Sequence, residues 1–184
     1  MRIISGKYGS RKLKTLTGNN TRPTEDRVRE AVFGRTGPYF DGGIILDLFA
    51  GSGALSLEAL SRGASYAVLN DVDRNAYSVQ RKNITALKYE DRTKQIHSDW
   101  HTTLIQLQKE NRCFDLVFLD PPYSMTDLTG VFSGLMPLIT HHTLIIVEHE
   151  AKKQPIVNEQ YHVVKNRAWG YCAVTIYQLT DKGA

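Results

Sequence analysis

The chain has 184 residues, of which 41% are hydrophobic and 23% are charged, and its formal net charge is +4. This composition is typical of a single folded domain with a hydrophobic core, and it excludes disordered and fibrous proteins. No apolar run approaches about 18 residues, so we expect no membrane-spanning helix. The first residues, MRIISGKYGSRKLK, lack the long apolar segment of a signal peptide, which predicts a cytoplasmic protein.

The cysteines and histidines give no pattern typical of a metal site. Cys113 and Cys172 do not have the spacing of metal ligands, and the six histidines are scattered without an HExxH arrangement. We therefore expect two buried thiols, as in a cytosolic protein, and no metal.

The positive charge is concentrated at the start of the chain. Residues 1–35 contain nine Lys and Arg residues and three acidic residues, a charge of +6, so the remainder carries −2. Such an asymmetry favours a basic arm that binds a polyanion such as nucleic acid, attached to a nearly neutral body. The alternative is a charged face that contacts only solvent.

The first 40 residues predict a small basic unit within the same domain. MRIIS and RKLKTL, separated by the turn GKYGS, favour a β-hairpin. A helix is predicted over residues 24–33, with Thr24 as its N-cap, and the following glycines and proline end it. We expect residues 1–40 to face the substrate and residues 41–184 to form the core of the domain.

From residue 44 the pattern alternates between strands and helices. Strands are predicted at 44–49, 66–71, 94–99, 114–120 and 143–150, with a closing hairpin at 161–166 and 172–179; helices are predicted at 54–62, 74–87, 102–110 and 131–139. This alternation predicts an α/β fold with a mostly parallel seven-stranded sheet and helices on both faces. Ligands of such sheets bind beyond the carboxyl ends of the strands, where the strand order reverses.

A glycine turn follows the first predicted strand. Gly51 and Gly53 allow positive φ and close approach of a ligand, but a lone GxG is weak evidence, and Ser56 replaces the third glycine of a dinucleotide-binding GxGxxG. Asp47, four residues before Gly51, would repel a pyrophosphate. Its carboxylate would instead suit a cationic ligand, such as the ammonium and sulfonium groups of S-adenosylmethionine.

Two further strand ends carry carboxylates. Asp71 follows the second strand and can accept hydrogen bonds from ribose hydroxyls, whereas Asp73 is expected to cap the next helix. Asp99 follows the third strand and could accept from an adenine amino group. Each acid could alone be a helix cap or turn residue, but together with the glycine turn they indicate a nucleoside-type cofactor.

The segment FDLVFLDPPY ends the fourth strand at Asp120, because Pro121 and Pro122 cannot continue the hydrogen-bonded ladder. The exocyclic amine of a nucleobase is a poor nucleophile, since its lone pair is delocalised into the ring. The Asp120 carboxylate and the Pro121 carbonyl could hold its N–H groups while Tyr123 stacks on the base. This arrangement predicts methylation of an amino group on a planar base. The alternative is a turn that merely ends the strand.

The chain resembles a known family along nearly its whole length. It is similar to the RsmD-type small-subunit (16S) ribosomal RNA guanine-N2 methyltransferases, of the S-adenosylmethionine-dependent, Rossmann-like class I. The resemblance is carried by RIISGKYGSRKL, TRPTEDRVREAVF, LDLFAGSGALSLEALSRGA and FLDPPY. It implies a bacterial, cytosolic enzyme that methylates a guanine of 16S rRNA in the assembled or assembling small subunit. We expect it to act as a monomer.

The resemblance also implies roles for individual residues. The cofactor-binding candidates are Asp47, Phe49, Gly51, Gly53, Asp71 and Asp99, and the residues that hold the target guanine are Asp120, Pro121, Pro122 and Tyr123. The candidates for contact with RNA are Lys7, Arg11, Lys12, Arg22, Thr24, Arg27 and Arg29. Some of these arginines are expected to form salt bridges on the helix face instead.

Three alternatives remain open on the sequence. DNA or RNA adenine-N6 methyltransferases also use Asp-Pro-Pro-Tyr, although those acting on DNA normally carry a separate recognition domain for which no stretch is left. Glutamine-N5 methyltransferases prefer Asn at the position of Asp120. A non-catalytic RNA-binding scaffold is the third possibility, and the acidic strand ends argue against it.

Overall fold

The structure is a computed structural model that describes residues 1–16, 29–30, 32–34 and 39–180. Its strands are β1 (Ile44–Asp47), β2 (Tyr66–Asp71), β3 (Thr93–His97), β4 (Phe114–Leu119), β5 (Ile139–Glu150), β6 (Tyr161–Trp169) and β7 (Cys172–Leu179). Its helices are α1 (Ala54–Ser61), α2 (Arg74–Leu87), α3 (Trp100–Lys109) and α4 (Thr129–Leu135), with 3₁₀ turns at Glu90–Arg92 and Met136–Leu138. Residues 29–30 and 32–34 are also helical.

The strands form one mixed sheet of seven strands in the order β3-β2-β1-β4-β5-β7-β6. The first five strands pair in parallel, and β7 pairs antiparallel with both β5 and β6. Two hydrophobic clusters cover the two faces of the sheet, one built around α1 and the other around α3 and α4. The predicted α/β, Rossmann-like fold is therefore confirmed. The strand order reverses between β1 and β4, which opens a crevice at their carboxyl ends.

Several predicted boundaries differ from the observed ones. Strand β5 begins at Ile139 rather than at residue 143, because Thr143 Oγ1 donates to the Phe114 carbonyl (2.6 Å) at an irregularity in the β4–β5 pairing. The helix predicted over 131–139 ends at Leu135, where Pro137 leaves only a 3₁₀ turn. Strand β6 extends to Trp169, three residues beyond its predicted end. Cys113 is exposed, so the expectation of a buried thiol at this position was wrong.

The N-terminal segment, residues 1–16, reverses direction as a hairpin but forms only one antiparallel bridge, Arg2 to Lys12, instead of the predicted strands. Backbone hydrogen bonds cross the hairpin, from the Ile3 N–H to the Arg11 carbonyl (2.9 Å) and from the Leu13 N–H to the Met1 carbonyl (3.1 Å). Helix α1 holds the turn between them. The carboxylate of Glu58 accepts from the N–H groups of Ile4 (2.6 Å) and Ser5 (3.0 Å). Ser61 Oγ accepts from the Tyr8 N–H (3.0 Å), so side chains of α1 satisfy backbone groups that the short hairpin leaves unpaired.

Two further contacts join the N-terminal segment to the core. Ile3 and Leu13 are buried in the cluster that covers α1. Asn83 of α2 exchanges two hydrogen bonds with the backbone of Lys14, at 2.8 and 3.0 Å, and also donates to the Ser52 carbonyl (3.0 Å). The segment is thus tied to the glycine turn that follows β1. Within the described residues, no helix is long and apolar enough to cross a membrane.

The anchoring by Glu58 can be tested by mutation. Glu58 is fully buried, and it also forms a salt bridge with Arg62 (2.7 Å). We expect Glu58→Ala to destabilise the protein by about 3–5 kcal/mol, as does breaking other buried ion pairs, and to speed proteolysis within residues 1–16. Urea denaturation and limited trypsin digestion measure the two effects. The exposed Glu90→Ala is the control, and unchanged proteolysis in Glu58→Ala would contradict the anchoring role.

Candidate active site

Two adjoining cavities occupy the crevice at the carboxyl ends of the parallel strands. A cavity of about 180 Å³ lies between the N-terminal segment and the end of β1, and a cleft of about 700 Å³ extends across the ends of β2, β3 and β4. Four residues line both: Phe49, Gly51, Asp120 and Glu148. The two spaces are therefore parts of one site, at the place where the strand order reverses.

Asp47 forms the floor of the smaller cavity and is almost fully buried. Its Oδ2 accepts from Ser56 Oγ (2.9 Å), whereas Oδ1 is buried with no hydrogen-bond partner among the described residues. Burial raises the pKa of Asp47 to about 7, although hydrogen bonds from Ser56 favour its charged form. A buried carboxylate with an unused oxygen is suited to a cationic ligand in the cavity.

The two glycines of the turn after β1, Gly51 and Gly53, have different roles in the structure. Gly51 has a positive φ of 52°, and a Cβ at this position would point into open space in the crevice. Gly53 has φ of 79°, but a Cβ there would lie 2.8 Å from Leu69 Cδ2. Gly53 lies outside the described linings of both cavities. It is thus required for packing of α1 against β2, whereas Gly51 borders the ligand space.

Asp71 supports this turn from β2. Its Oδ2 accepts from the Gly51 N–H (2.8 Å), and its Oδ1 accepts from the Asp73 N–H (2.9 Å). Asp73 accepts from the Asn75 N–H (2.7 Å) and caps α2, as predicted. The carboxylate of Asp71 is half-buried and lines the large cleft, where its remaining lone pairs can accept hydroxyl groups.

Asp99 also lines the large cleft, and in addition it is a helix cap. Its Oδ1 accepts from the Thr102 N–H (2.9 Å) at the start of α3. Hydrogen bonds from the Thr102 side chain and then from its N–H lower the pKa of Asp99. Two neighbours that the sequence did not single out complete this wall, Asn70 and Trp100. Asn70 is buried, donates to the Leu48 carbonyl (3.0 Å) and thereby holds the ends of β1 and β2 together.

The Asp-Pro-Pro-Tyr segment follows β4 directly and lines the cleft with all four residues. The Pro122 carbonyl accepts from the Met125 N–H (2.8 Å), which closes the turn after the strand. The ring of Tyr123 is 39% exposed, as a stacking surface must be. Burial, together with the nearby charge of Glu148, raises the pKa of the Tyr123 hydroxyl.

Glu148 is a site residue that the sequence reasoning missed. Leu119 pairs with Val147, so Asp120 and Glu148 follow at the same level on neighbouring parallel strands. The Glu148 Oε1 accepts from Cys172 Sγ (3.2 Å), and burial followed by the charge of Glu148 raises the pKa of this thiol. Acids at or directly after the ends of four other strands pointed to the site, whereas Glu148 lies two residues before the end of its own predicted strand.

Tyr171 is a second missed residue, next to Tyr123. It lies in the two-residue turn Gly170–Tyr171 between β6 and β7, where a φ of 61° at Gly170 fits a type II′ hairpin. Because β7 begins where β5 ends, this turn is at the carboxyl edge of the sheet. The rings of Tyr171 and Tyr123 are 6.2 Å apart, and that of Tyr171 is 61% exposed.

The predicted RNA-binding residues are not all near the site. Arg29 is buried and lines the smaller cavity. Lys7, Arg11 and Lys12 are exposed on the N-terminal segment, outside the described linings of the cavities. Lys7 lies at the far end of α1, where its N–H donates to the Ser61 carbonyl (2.8 Å). Arg22, Thr24 and Arg27, with most of the helix predicted over 24–33, lie outside the described residues.

No group of three or more His, Cys, Asp or Glu side chains suited to a metal ion occurs in the part of the chain that the structure describes. The site therefore consists of acidic, glycine and aromatic groups on the ends of β1, β2, β4, β5 and β7.

Sequence comparison identifies the family. The family model described as Conserved hypothetical protein 95 matches residues 1–178. Ribosomal RNA small subunit methyltransferase D of Escherichia coli is 34% identical over 186 residues, which cover 100% of this chain and 92% of that protein. The chain belongs to the family of these methyltransferases. The enzyme of the same name from Haemophilus influenzae is 33% identical, over 97% of this chain and 93% of that protein.

Solved structures agree with this assignment. The Escherichia coli protein yhhF has a TM-score of 0.83 and 34% identity, over 97% of each chain. The protein SMU.776, solved in complex with SAH, has a TM-score of 0.68 over 84% of this chain and 49% of its own. At 16% identity, the second likeness concerns the fold alone.

The raised pKa of Asp47 predicts a pH-dependent stability. Its folded-state pKa of about 7 exceeds the ordinary aspartate value of 3.8, so the native state binds more protons between these values and its stability falls as pH rises from about 4 to 7. We expect Asp47→Asn to stabilise the ligand-free protein at pH 8 by up to about 4 kcal/mol, because one pKa unit corresponds to about 1.4 kcal/mol. At pH 4 the two proteins should be nearly equal.

Urea denaturation of both proteins at several pH values measures the difference, with the exposed Asp91→Asn as the control. A stability difference that does not change between pH 4 and pH 8 would contradict the ionisation of a buried Asp47.

Proposed function

We propose that the protein transfers a methyl group from S-adenosylmethionine to the exocyclic N2 amine of a guanine in small-subunit (16S) ribosomal RNA. The observation that carries the proposal is the placement of Asp120 between a cofactor-type wall on β1 and β2 and an exposed aromatic surface at Tyr123. The names of the relatives support small-subunit ribosomal RNA as the substrate class. Our proposal adds that this RNA is methylated within the small subunit or its assembly intermediate.

The residues of the crevice fit S-adenosylmethionine. The buried Asp47, with its unused oxygen, suits the ammonium group, and Asp71 suits the ribose hydroxyls. Asp99 and Trp100 border the part of the cleft where an adenine would lie. The open space at Gly51 lets the cofactor approach the backbone closely. Phe49 lines both cavities, between these groups.

S-adenosylmethionine supplies the methyl group, whose bond pair returns to sulfur as the new bond to nitrogen forms. The chain's own contribution is to position the amine. The Asp120 carboxylate would accept one N2–H group and the Pro121 carbonyl the other, which directs the lone pair towards the methyl group. As positive charge develops on N2, Asp120 stabilises it and accepts the released proton for transfer to solvent.

Two features support RNA as the substrate. Tyr123 and Tyr171 present neighbouring exposed rings, as in proteins that stack unpaired bases. The basic N-terminal segment, with Arg11 and Lys12 exposed, could hold phosphates beside the crevice. A target base must leave its stack to reach Asp120, which single-stranded or loop regions of RNA permit most easily.

The proposal is tested by mapping modified guanines in ribosomal RNA by mass spectrometry. RNA from a strain that lacks the gene should lose one N2-methylguanine, and complementation should restore it. Loss of a methyl group from adenine instead would favour the adenine-N6 alternative.

Asp120 should be needed for chemistry rather than for cofactor binding. We expect Asp120→Ala to lower kcat by at least about 100-fold, as does removing a single group that stabilises a transition state, while the affinity for S-adenosylmethionine changes little. Methyl-transfer assays and calorimetric titration measure the two quantities. Asp41→Ala, an exposed acid at the opposite edge of the sheet, is the control. Full activity of Asp120→Ala would refute the assignment.

Tyr171 should contribute to RNA affinity through its ring. We expect Tyr171→Ala to weaken RNA binding by about 10-fold, since stacking of one base contributes about 1–3 kcal/mol, and to leave cofactor affinity unchanged. Tyr171→Phe keeps the ring and should bind RNA nearly as well as the wild type. Filter-binding titrations compare the three proteins. Equal affinities for the Ala and Phe variants would remove Tyr171 from the interface.

A further inference from the structure

We propose that Glu148 selects guanine by accepting a hydrogen bond from its N1–H group. This inference rests on the proposed function. It assigns recognition of the base to Glu148, a residue of the same site. Glu148 would contact the edge of the base next to the amine that Asp120 holds.

The position of Glu148 places it on the substrate side of the site. Asp47 is the last residue of β1, Asp120 directly follows β4, and Glu148 lies near the end of β5. These are consecutive strands of the sheet. Asp47 and the glycine turn therefore lie on one side of Asp120, and Glu148 lies on the other. Neighbouring strands are about 4.8 Å apart, so two carboxylates at the same level can contact neighbouring atoms of one base.

The contacts of Glu148 fix it beside the stacking surface. Cys172 donates to its Oε1 (3.2 Å) from β7. The same thiol interacts with the Tyr123 hydroxyl, and the charge of Glu148 contributes to raising the pKa of both groups. A carboxylate has several acceptor positions, so the bond from Cys172 orients Glu148 and still allows it to accept from a base.

The chemistry of this pair of carboxylates matches guanine. Guanine carries N1–H next to its N2 amine, so its edge presents adjacent donors to two acceptors. Adenine carries an unprotonated N1 next to its amine. In this site the adenine N1 and the Glu148 carboxylate would be two acceptors facing each other with no proton between them, and such a contact is unfavourable. A half-buried carboxylate that accepts a hydrogen bond from the base loses that bond when an analogue lacks the donor, so the site disfavours the analogue.

The inference is tested with 2-aminopurine, which has the N2 amine of guanine but an unprotonated N1. Once the methylated position has been mapped, small subunits are reconstituted with ribosomal RNA that carries either guanine or 2-aminopurine at that position. For the wild type we expect kcat/KM to be about 10- to 100-fold lower on 2-aminopurine, the size of one hydrogen bond to a charged group.

The variant Glu148→Gln should reduce this preference. A glutamine can accept from N1–H through its oxygen, or donate to an unprotonated N1 through its amide, so the ratio of the two rates should approach one. The affinity for S-adenosylmethionine should stay as in the wild type. Glu159→Gln is the control, because Glu159 is exposed and lies outside the described linings of the cavities, and it should keep the wild-type ratio.

The outcomes separate this inference from the proposed function. Equal rates of the wild type on the two RNAs would overturn the role of Glu148 while N2 methylation stands, and this comparison needs no variant. The same guanine preference in Glu148→Gln as in the wild type would also overturn it, as would a loss of cofactor affinity in that variant. No methylation of guanine by the wild type would overturn the proposed function, and the inference with it.

Discussion

The reversal of strand order between β1 and β4 is the constraint on which the rest of the site depends. Parallel pairing puts the carboxyl ends of five strands at one edge of the sheet, and the reversal leaves a crevice there because the two helical layers diverge. The groups assigned to the reaction lie at strand ends or in the short turns next to them at this edge. The sheet therefore sets their relative positions, which suits a reaction that needs accurate alignment.

The burial of the Asp47 carboxylate is energetically unfavourable in the ligand-free protein. A carboxylate under the floor of the crevice is desolvated, and the hydrogen bond from Ser56 offsets only part of the cost. A cationic ligand would supply the missing partner. In the proposed role, the same residue would lower the stability of the empty protein at neutral pH and raise the affinity for a positively charged cofactor, a common compromise at functional sites.

Much of the fold and part of the site could be predicted from the sequence. Strands β2 and β7 and helix α2 were predicted with their observed ends, because turn residues and caps such as Asp73 mark them. The end of α4 was placed too late although Pro137 marks it in the sequence, and the start of β5 was missed because it depends on the tertiary pairing of Ile139 with Phe114. The anchoring of the N-terminal segment was hidden for the same reason. Glu58 looks like an ordinary exposed helix residue until the segment covers it.

The distribution of charge explains how an acidic crevice could serve a substrate that is a polyanion. The crevice collects carboxylates from the ends of β1 to β5, whereas residues 1–35 carry a net charge of +6. In the proposed reaction the phosphates need not enter the crevice, since only the extruded base, which is uncharged and rich in donors at its edge, reaches the carboxylates. Basic residues outside the crevice would thus provide affinity for the RNA phosphates, and acceptors inside the crevice would recognise the base.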